Sequence, residues 1–342
     1  MVKEFDPPFL LKNPHAMTLA AVFWRRSYPS LPASRPRLFT TEPGTQVRAD
    51  CHWQPDPSSH STLVLLHGLE GSSESGYMLG SAEKAWLAGF NVLRLNQRNC
   101  GGTERLTPTL YHSGLSVDIR TVISELIVRD ALPEIFAAGF SMGGNLVLKM
   151  AGEWGAGAPA ELRAVVAVAP SLDLAACADA LSRPENFIYQ WHFVRNLRRR
   201  MRYKAGLFSD RYPAAEIRPL ASVRSVREFD DVITAKFCGF RDAADYYAQS
   251  SAKNVVASIA RPALVLTAQD DPFVPIESFD FAAFRENPNI TFVSPRHGGH
   301  CGFVARQGIE NGKNREGRFW VESRLVEFCV AHSEMAKAAA AG

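Results

Sequence analysis

A chain of 342 residues is long enough for two small domains, or for one large α/β domain carrying an insertion. Its hydrophobic fraction of 46% and charged fraction of 21% are those of an ordinary globular protein with a sizeable core. With 38 basic against 35 acidic residues the formal net charge is only +3, so nothing global argues for a nucleic-acid partner.

The N-terminal stretch MVKEFDPPFLLKNPH is acid-containing and broken by prolines, with no apolar core, so it reads as neither a secretory signal nor a membrane anchor. No run approaches the roughly 20 apolar residues that spanning a bilayer requires. Cysteines at 51, 100, 177, 238, 301 and 329 are scattered without a CxxC pair. That argues against a disulfide scaffold and a zinc site, and fits reduced thiols in a cytoplasmic protein.

In chain order, TLVLLHG (62–68) is a continuous apolar run closed by glycine, the form of a strand buried on both faces. MLGSAEKAWLAGF (78–90) has helical spacing, and NVLRLN (91–96) predicts the next strand. GLSVDIRTVISELIVRD (114–130) carries apolar residues at 115, 119, 122, 123, 126 and 127, which is helical periodicity. EIFAAGF (134–140) predicts a strand, GGNLVLKMAGEW (143–154) a helix and LRAVVAVAP (162–170) a strand. This alternation marks βαβ units and an α/β fold with a mainly parallel central sheet flanked by helices.

From about 171 to 259 the rhythm gives way to an aromatic, arginine-rich, mostly helical stretch. It resumes with the strand PALVLTA (262–268), a helix near 279–285, the strand ITFVSP (290–295) and a last helix over about 317–331. An insertion of that length between consecutive strands predicts a helical cap over a site, within one domain spanning 1–342. The low-complexity tail, 335–342, is expected to fray.

AAGFSMGGN (137–145) sets Ser141 in a G-x-S-x-G pattern where an apolar strand meets a helix. A sharp strand-to-helix turn leaves such a serine strained, with Oγ projecting above the strand ends and glycines making room beside it. The helix N-terminus then aims positive potential and N–H groups at a developing oxyanion. A serine hydroxyl needs a general base, and the base needs an orienting acid. LVLTAQDDPFVP offers Asp270 and Asp271 just past one strand, and SPRHGGHCGF offers His297 and His300 just past the next. Both lie at strand C-terminal ends, where open α/β sheets bind ligands.

Asp271, at the head of DPFVP, is expected to be the acid, with Asp270 as a capping or supporting residue. His300 is expected to be the base, because GGH gives its loop the freedom to bring the imidazole over the serine; His297 is the alternative. The expected oxyanion donors are the backbone N–H groups of Met142, next after the serine, and of Leu69, in the loop after LLHG. His67 in that loop reads as a packing or hydrogen-bonding residue.

Several longer stretches together resemble the YheT-like branch of the α/β-hydrolase superfamily, which also holds embryogenesis-associated relatives. They are FLLKNPHAMT, HGLEGSSESGYM, NQRNCGGTE, FSMGGNLVLK, FDDVITAKFCGFRDAADYYAQSS, DDPFVP and GGHCGF, and they span nearly the whole chain. The resemblance implies an α/β-hydrolase fold with Ser141 as nucleophile, Asp271 as acid and His300 as base. It further implies no metal or organic cofactor, and a small-molecule carboxylic ester as substrate, with a short- or medium-chain or lipid-like acyl group. Acyl transfer to an alcohol on the same triad, and a non-catalytic binding protein on a hydrolase scaffold, are the alternatives.

One departure is Asn99, where relatives often carry glycine in R-G-C-G-G. Asparagine tolerates left-handed backbone, so the loop is expected to survive. The basic run RNLRRRMRYK, which begins at Arg195 and ends at Lys204, reads as a solvated helix face or as a weak contact with a membrane surface. Phe187, Tyr189, Trp191 and Phe193 are candidates to line an acyl pocket, or to pack within the cap.

Overall fold

The apolar runs of the sequence become the middle of one eight-stranded sheet in a computed structural model that describes residues 4–306, 309–310, 313–314 and 317–335. Its strands are β1 (Arg35–Glu42), β2 (Thr45–His52), β3 (Thr62–Leu66), β4 (Asn91–Asn96), β5 (Ile135–Phe140), β6 (Leu162–Val168), β7 (Ala263–Leu266) and β8 (Ile290–Val293). The order across the sheet is β1-β2-β4-β3-β5-β6-β7-β8. The run from β4 to β8 is parallel throughout, and β1 and β2 add an antiparallel hairpin at one edge.

Alternate side chains of the central strands serve opposite faces. Ile135 and Ala137 of β5 join one core cluster, while Phe136, Ala138 and Phe140 join the other. Val64 and Leu66 of β3 divide from Leu63 and Leu65 in the same way. Burial on both faces is why these strands read as unbroken apolar runs.

The longer helices are α1 (Pro14–Phe23), α2 (Gly76–Leu87), α3 (Ser116–Val128), α4 (Met142–Trp154), α5 (Leu174–Leu181), α6 (Phe187–Leu207), α7 (Ala243–Ser250) and α8 (Trp320–His332). One face of the sheet is covered by Ile119, Val122 and Leu126 of α3 with Leu146, Val147 and Met150 of α4. The other is covered by Met78, Ala82 and Ala85 of α2 with Trp320, Val321 and Leu325 of α8. Each such large apolar side chain contributes roughly 1.5–3 kcal/mol on full burial.

Between β6 and β7 the chain passes through α5, α6, α7 and shorter turns, among them a π-helical turn at Asp230–Ala235. The helix expected near 279–285 is two short turns, Ile276–Phe279 and Ala282–Arg285. Neither the β1–β2 hairpin, turned at Gly44 with φ 73°, nor α1 was expected from the sequence. Asn13 caps α1, its side-chain oxygen accepting the N–H groups of His15 and Ala16 at 3.0 Å, with Pro14 in the first helical position. Of the tail expected to fray, only Met335 lies within the described residues. No helix among the described residues is long and apolar enough to cross a membrane.

Candidate active site

β5 ends at Phe140 and α4 begins at Met142, so Ser141 alone turns the chain, at φ 53° and ψ −118°. That backbone is sparsely populated for a residue with a Cβ and costs of order 1–3 kcal/mol, so the surroundings must impose it. Two glycines show how. A Cβ on Gly139 would meet Gly143 O at 2.1 Å, and a Cβ on Gly143 would meet the carbonyl oxygens of Leu66 and His67 at 2.6 Å. The start of α4 therefore lies directly on the ends of β5 and β3. The Ser141 N–H donates to Val168 O at 2.8 Å, tying the turn to β6.

Ser141 Oγ is 3.0 Å from His300 Nε2. Across the same ring, Nδ1 is 2.9 and 3.1 Å from Oδ2 and Oδ1 of Asp271. The Asp271 side chain is 0% exposed, and its Oδ1 also accepts the N–H groups of Phe273 and Val274 at 2.8 and 3.0 Å. A carboxylate acceptor places the ring proton on Nδ1 and leaves the Nε2 lone pair facing the serine hydroxyl. Burial works against protonating this ring, yet the adjacent Asp271 carboxylate outweighs it and holds the His300 pKa well above the ordinary 6.5.

The alternative residues pair with each other instead. His297 Nδ1 lies 3.2 Å from Asp270 Oδ2, and Asp270 Oδ1 accepts the Gly299 N–H at 3.0 Å. These contacts hold the base of the loop that presents His300; His300 and Phe273 line the adjoining cavity, and Asp270 and His297 do not. Gly299 is left-handed at φ 54°, and a Cβ there would meet Pro14 O at 2.6 Å. The second glycine of GGH thus serves the close approach to α1.

A further support escaped the sequence reading. The His300 N–H donates to Thr18 Oγ1 at 2.9 Å, and that hydroxyl donates to Pro14 O at 2.7 Å. Thr18 lies in α1, so the N-terminal helix helps to position the histidine loop. Asn13 followed by Pro14 is a sequence pattern that could have announced α1, but nothing in it says what the helix packs on. Phe273 also bears on the ring, with centroids 4.7 Å apart.

Met142 and Leu69 line the same cavity as Ser141 and His300. Among the described residues neither backbone N–H has a hydrogen-bond partner. Met142 opens α4, where first-turn N–H groups are unpaired and the helix dipole is positive. The loop carrying Leu69 is fixed on its other side: Gly68 N–H donates to the Tyr77 hydroxyl at 3.0 Å, and His67 Nδ1–H donates to Gly68 O at 2.7 Å. His67 Nε2 accepts the Gln97 N–H at 3.1 Å. Burial takes the His67 pKa down to about 4, so the ring is neutral and structural, as expected.

The cavity has a volume of about 140 Å³ and mainly apolar walls that include Leu110, Leu174, Leu197, Met201 and Phe229. Of the four aromatic candidates on α6, Phe193 lines it. Tyr189 packs instead on Phe273 and His15, and Phe187 and Trp191 are 66% and 52% exposed on the outer side. The basic run divides in the same way and is not a uniformly solvated face. Lys204 is fully buried, donating to Glu104 O at 2.6 Å and to Thr107 O, and Arg200 also turns inward, whereas Arg195, Arg199 and Arg202 are exposed.

The DYY stretch pins the insertion behind the serine. Tyr246 Oη accepts the Ser113 N–H at 2.9 Å, and Asn145 of α4 donates to Ser113 O and Ser250 O at 3.0 and 2.9 Å. Asn99 is left-handed at φ 64°, as its place in the NQRNCGG loop requires.

Residues 61–306 match the family model described as the alpha/beta hydrolase fold. The chain is 30% identical over 334 residues to YheT of Escherichia coli (strain K12), covering 97% of this chain and 94% of YheT. It is 29% identical over 277 residues to phospholipase ABHD3 of Mus musculus, covering 79% of this chain and 66% of that protein. Among solved structures, the esterase Pf2001 of Pyrococcus furiosus superposes with a TM-score of 0.55 at 18% identity, over 96% of this chain and 98% of that one. At that identity the likeness speaks for the fold alone. With the family model matching most of its length and YheT aligned almost end to end, this chain belongs to the α/β-hydrolase fold family, in its YheT-like branch.

Proposed function

We propose that this carboxylic ester hydrolase works through an acyl-enzyme formed on Ser141. The observation that carries the reading is the continuous line from Asp271 through His300 to Ser141, with contacts of 2.9 and 3.0 Å. His300 Nε2 takes the hydroxyl proton as Oγ attacks the ester carbonyl carbon, while Asp271 fixes the ring and stabilises the imidazolium. The carbonyl oxygen becomes anionic and is received by the N–H groups of Met142 and Leu69. The tetrahedral species collapses, and His300 gives its proton to the departing alcohol. Water then gives a proton to His300 as it attacks the acyl carbon; the acyl–Oγ bond breaks and His300 returns that proton to Ser141 Oγ, releasing the acid and restoring the free serine. These steps need no metal or organic cofactor.

In this reading the stretch 171–259 is a cap on a single domain, and its inner wall selects the acyl chain. The small apolar cavity favours short- to medium-chain esters. A series of p-nitrophenyl esters from acetate to palmitate, with Ser141→Ala alongside, tests this. The expected result is an optimum at short or medium length and no turnover by Ser141→Ala; equal rates at every length would contradict the acyl pocket. Six free cysteines support a cytoplasmic setting.

A second reading concerns the outer face of α6. Exposed Phe187, Ile188 and Trp191 adjoin Arg195, and a groove there also holds Arg198, Arg202 and Arg224. Aromatic residues beside arginines favour weak contact with an anionic membrane surface. Co-sedimentation with phosphatidylserine vesicles should fall in a Trp191→Ala, Arg195→Glu, Arg202→Glu variant; unchanged sedimentation would remove the reading.

A further inference from the structure

We infer that Arg200, on the long helix of the insertion, is a positioning residue for the oxyanion site: it holds the Leu69 loop in place through Glu70. This rests on the proposed roles of Ser141 and Leu69.

Glu70 directly follows Leu69 and has a left-handed backbone at φ 58°. Glutamate has no intrinsic liking for that region, so the conformation is held by what its side chain reaches. Oε1 receives the Tyr111 hydroxyl at 2.8 Å and Arg200 Nε at 3.2 Å, and Oε2 receives Arg200 Nη2 at 3.3 Å. The two-pronged pair lies in poorly hydrated surroundings, with the Glu70 and Arg200 side chains 7% and 20% exposed. Removing one partner there leaves the other charge buried and uncompensated, so the loop has reason to rearrange.

The remaining guanidinium nitrogen engages a second loop. Nη1 donates to Asn99 O at 2.8 Å and contacts Cys100 Sγ at 2.7 Å. Arg200 therefore bridges the loops that follow β3 and β4, both at the C-terminal edge of the sheet beside Ser141. One helical turn further on, Lys204 donates to the carbonyl oxygens of Glu104 and Thr107, fixing the same face of α6 against the second loop. Tyr111 sits under the guanidinium at 5.5 Å from its ring centre and also bonds Glu70, so Arg200 and Tyr111 together hold the carboxylate beside Leu69. Seating of α6 and competence of the oxyanion site are thereby one event. An anchor meant only to hold α6 down had no need to seize the residue beside an oxyanion donor.

The test compares Arg200→Gln, Arg200→Lys, Glu70→Gln and the Arg200→Gln/Glu70→Gln double variant in the full chain. The readouts are kcat and KM on p-nitrophenyl butyrate, Tm, and the affinity of butylboronic acid, whose serine adduct places an anionic oxygen at the oxyanion site. Outright loss of an oxyanion donor costs roughly 10²–10³-fold in kcat, so displacement of the loop should cost roughly 10–100-fold. KM should change little, boronate affinity should fall with kcat/KM, and the double variant should be no worse than the single ones. Arg200→Lys should recover only part of the loss, because it keeps the charge and loses the fork. A lowered Tm with kcat and boronate affinity unchanged would make Arg200 a structural anchor and overturn the inference. If Arg200→Gln fails to fold, Glu70→Gln decides by the same two readouts. Turnover that survives in Ser141→Ala would instead sink the serine mechanism itself, whereas its loss there, with the Arg200 variants fully active, sinks this inference alone.

Discussion

His300 Nε2 and Ser141 Oγ stand 3.0 Å apart although 159 residues separate them in the chain. Three independent supports make that contact: the glycine-packed turn around Ser141, the Asp271 carboxylate behind the ring, and the Thr18 hydroxyl on the histidine's own backbone. Each can be removed separately.

The two neighbouring aspartates should behave very differently. Asp271→Asn preserves size but removes the acceptor that fixes the imidazole tautomer, and kcat should fall about 10⁴-fold. Asp270→Asn disturbs only the contacts with His297 and Gly299, and should cost about tenfold or less, equivalent to ~1.4 kcal/mol. Steady-state kinetics on one ester separates them, and equal losses would contradict the assignment.

Activity should rise with pH. His300 must be neutral to accept the serine proton, and its neighbouring carboxylate lifts its pKa above 6.5 against the opposing effect of burial. The rising limb of kcat/KM should therefore have its midpoint above pH 6.5, with protonated, inactive enzyme below it. Asp271→Asn should move the midpoint down. A wild-type midpoint below 6.5 would be inconsistent with this geometry.

Thr18→Val tests the link from α1 to the site. The change keeps the shape and removes the acceptor of the His300 N–H, leaving that donor unpaired at a cost of about 1–3 kcal/mol. A loss of roughly tenfold in kcat, with KM nearly constant, is expected from the misplaced imidazole. Unaltered kinetics would show that α1 plays no part in placing it.

Gly143→Ala should be among the most damaging single-methyl changes in the chain. Its Cβ would meet two backbone carbonyl oxygens at 2.6 Å, neither of which can swing away like a side chain. Overpacking of this kind costs about 3 kcal/mol or more, read as a shift in the urea midpoint or as loss of folded protein. Near-wild-type stability would mean that the turn is looser than its contacts indicate.

The legible parts of this protein are those in which one physical demand acts on consecutive residues. β3, β4 and β5 are buried on both faces, and so appear as unbroken apolar runs. Ser141, Asp271 and His300 were legible through their order and their places after strands. The β1–β2 hairpin was not, because β1 is an edge strand whose buried Phe39 is surrounded by partly or fully exposed residues such as Arg35 and Arg37. The two sides of α6 were not read either. Helical spacing separates Arg200 and Lys204 from Arg195, Arg199 and Arg202, but the acceptors that draw the first two inward lie 97 to 130 residues away and meet α6 only in the folded chain. Thr18 escaped for the same reason, since its partner is 282 residues distant.

The central claim is that Ser141 is the reactive nucleophile, and active-site labelling tests it most directly. Folded protein is treated with a fluorophosphonate and the site of phosphonylation is read by peptide mass spectrometry as ester hydrolysis is followed. The account predicts a single adduct on Ser141, formed in step with loss of activity and greatly slowed by His300→Ala. Full loss of activity without an adduct on Ser141, or an adduct there with hydrolysis undiminished, would contradict it.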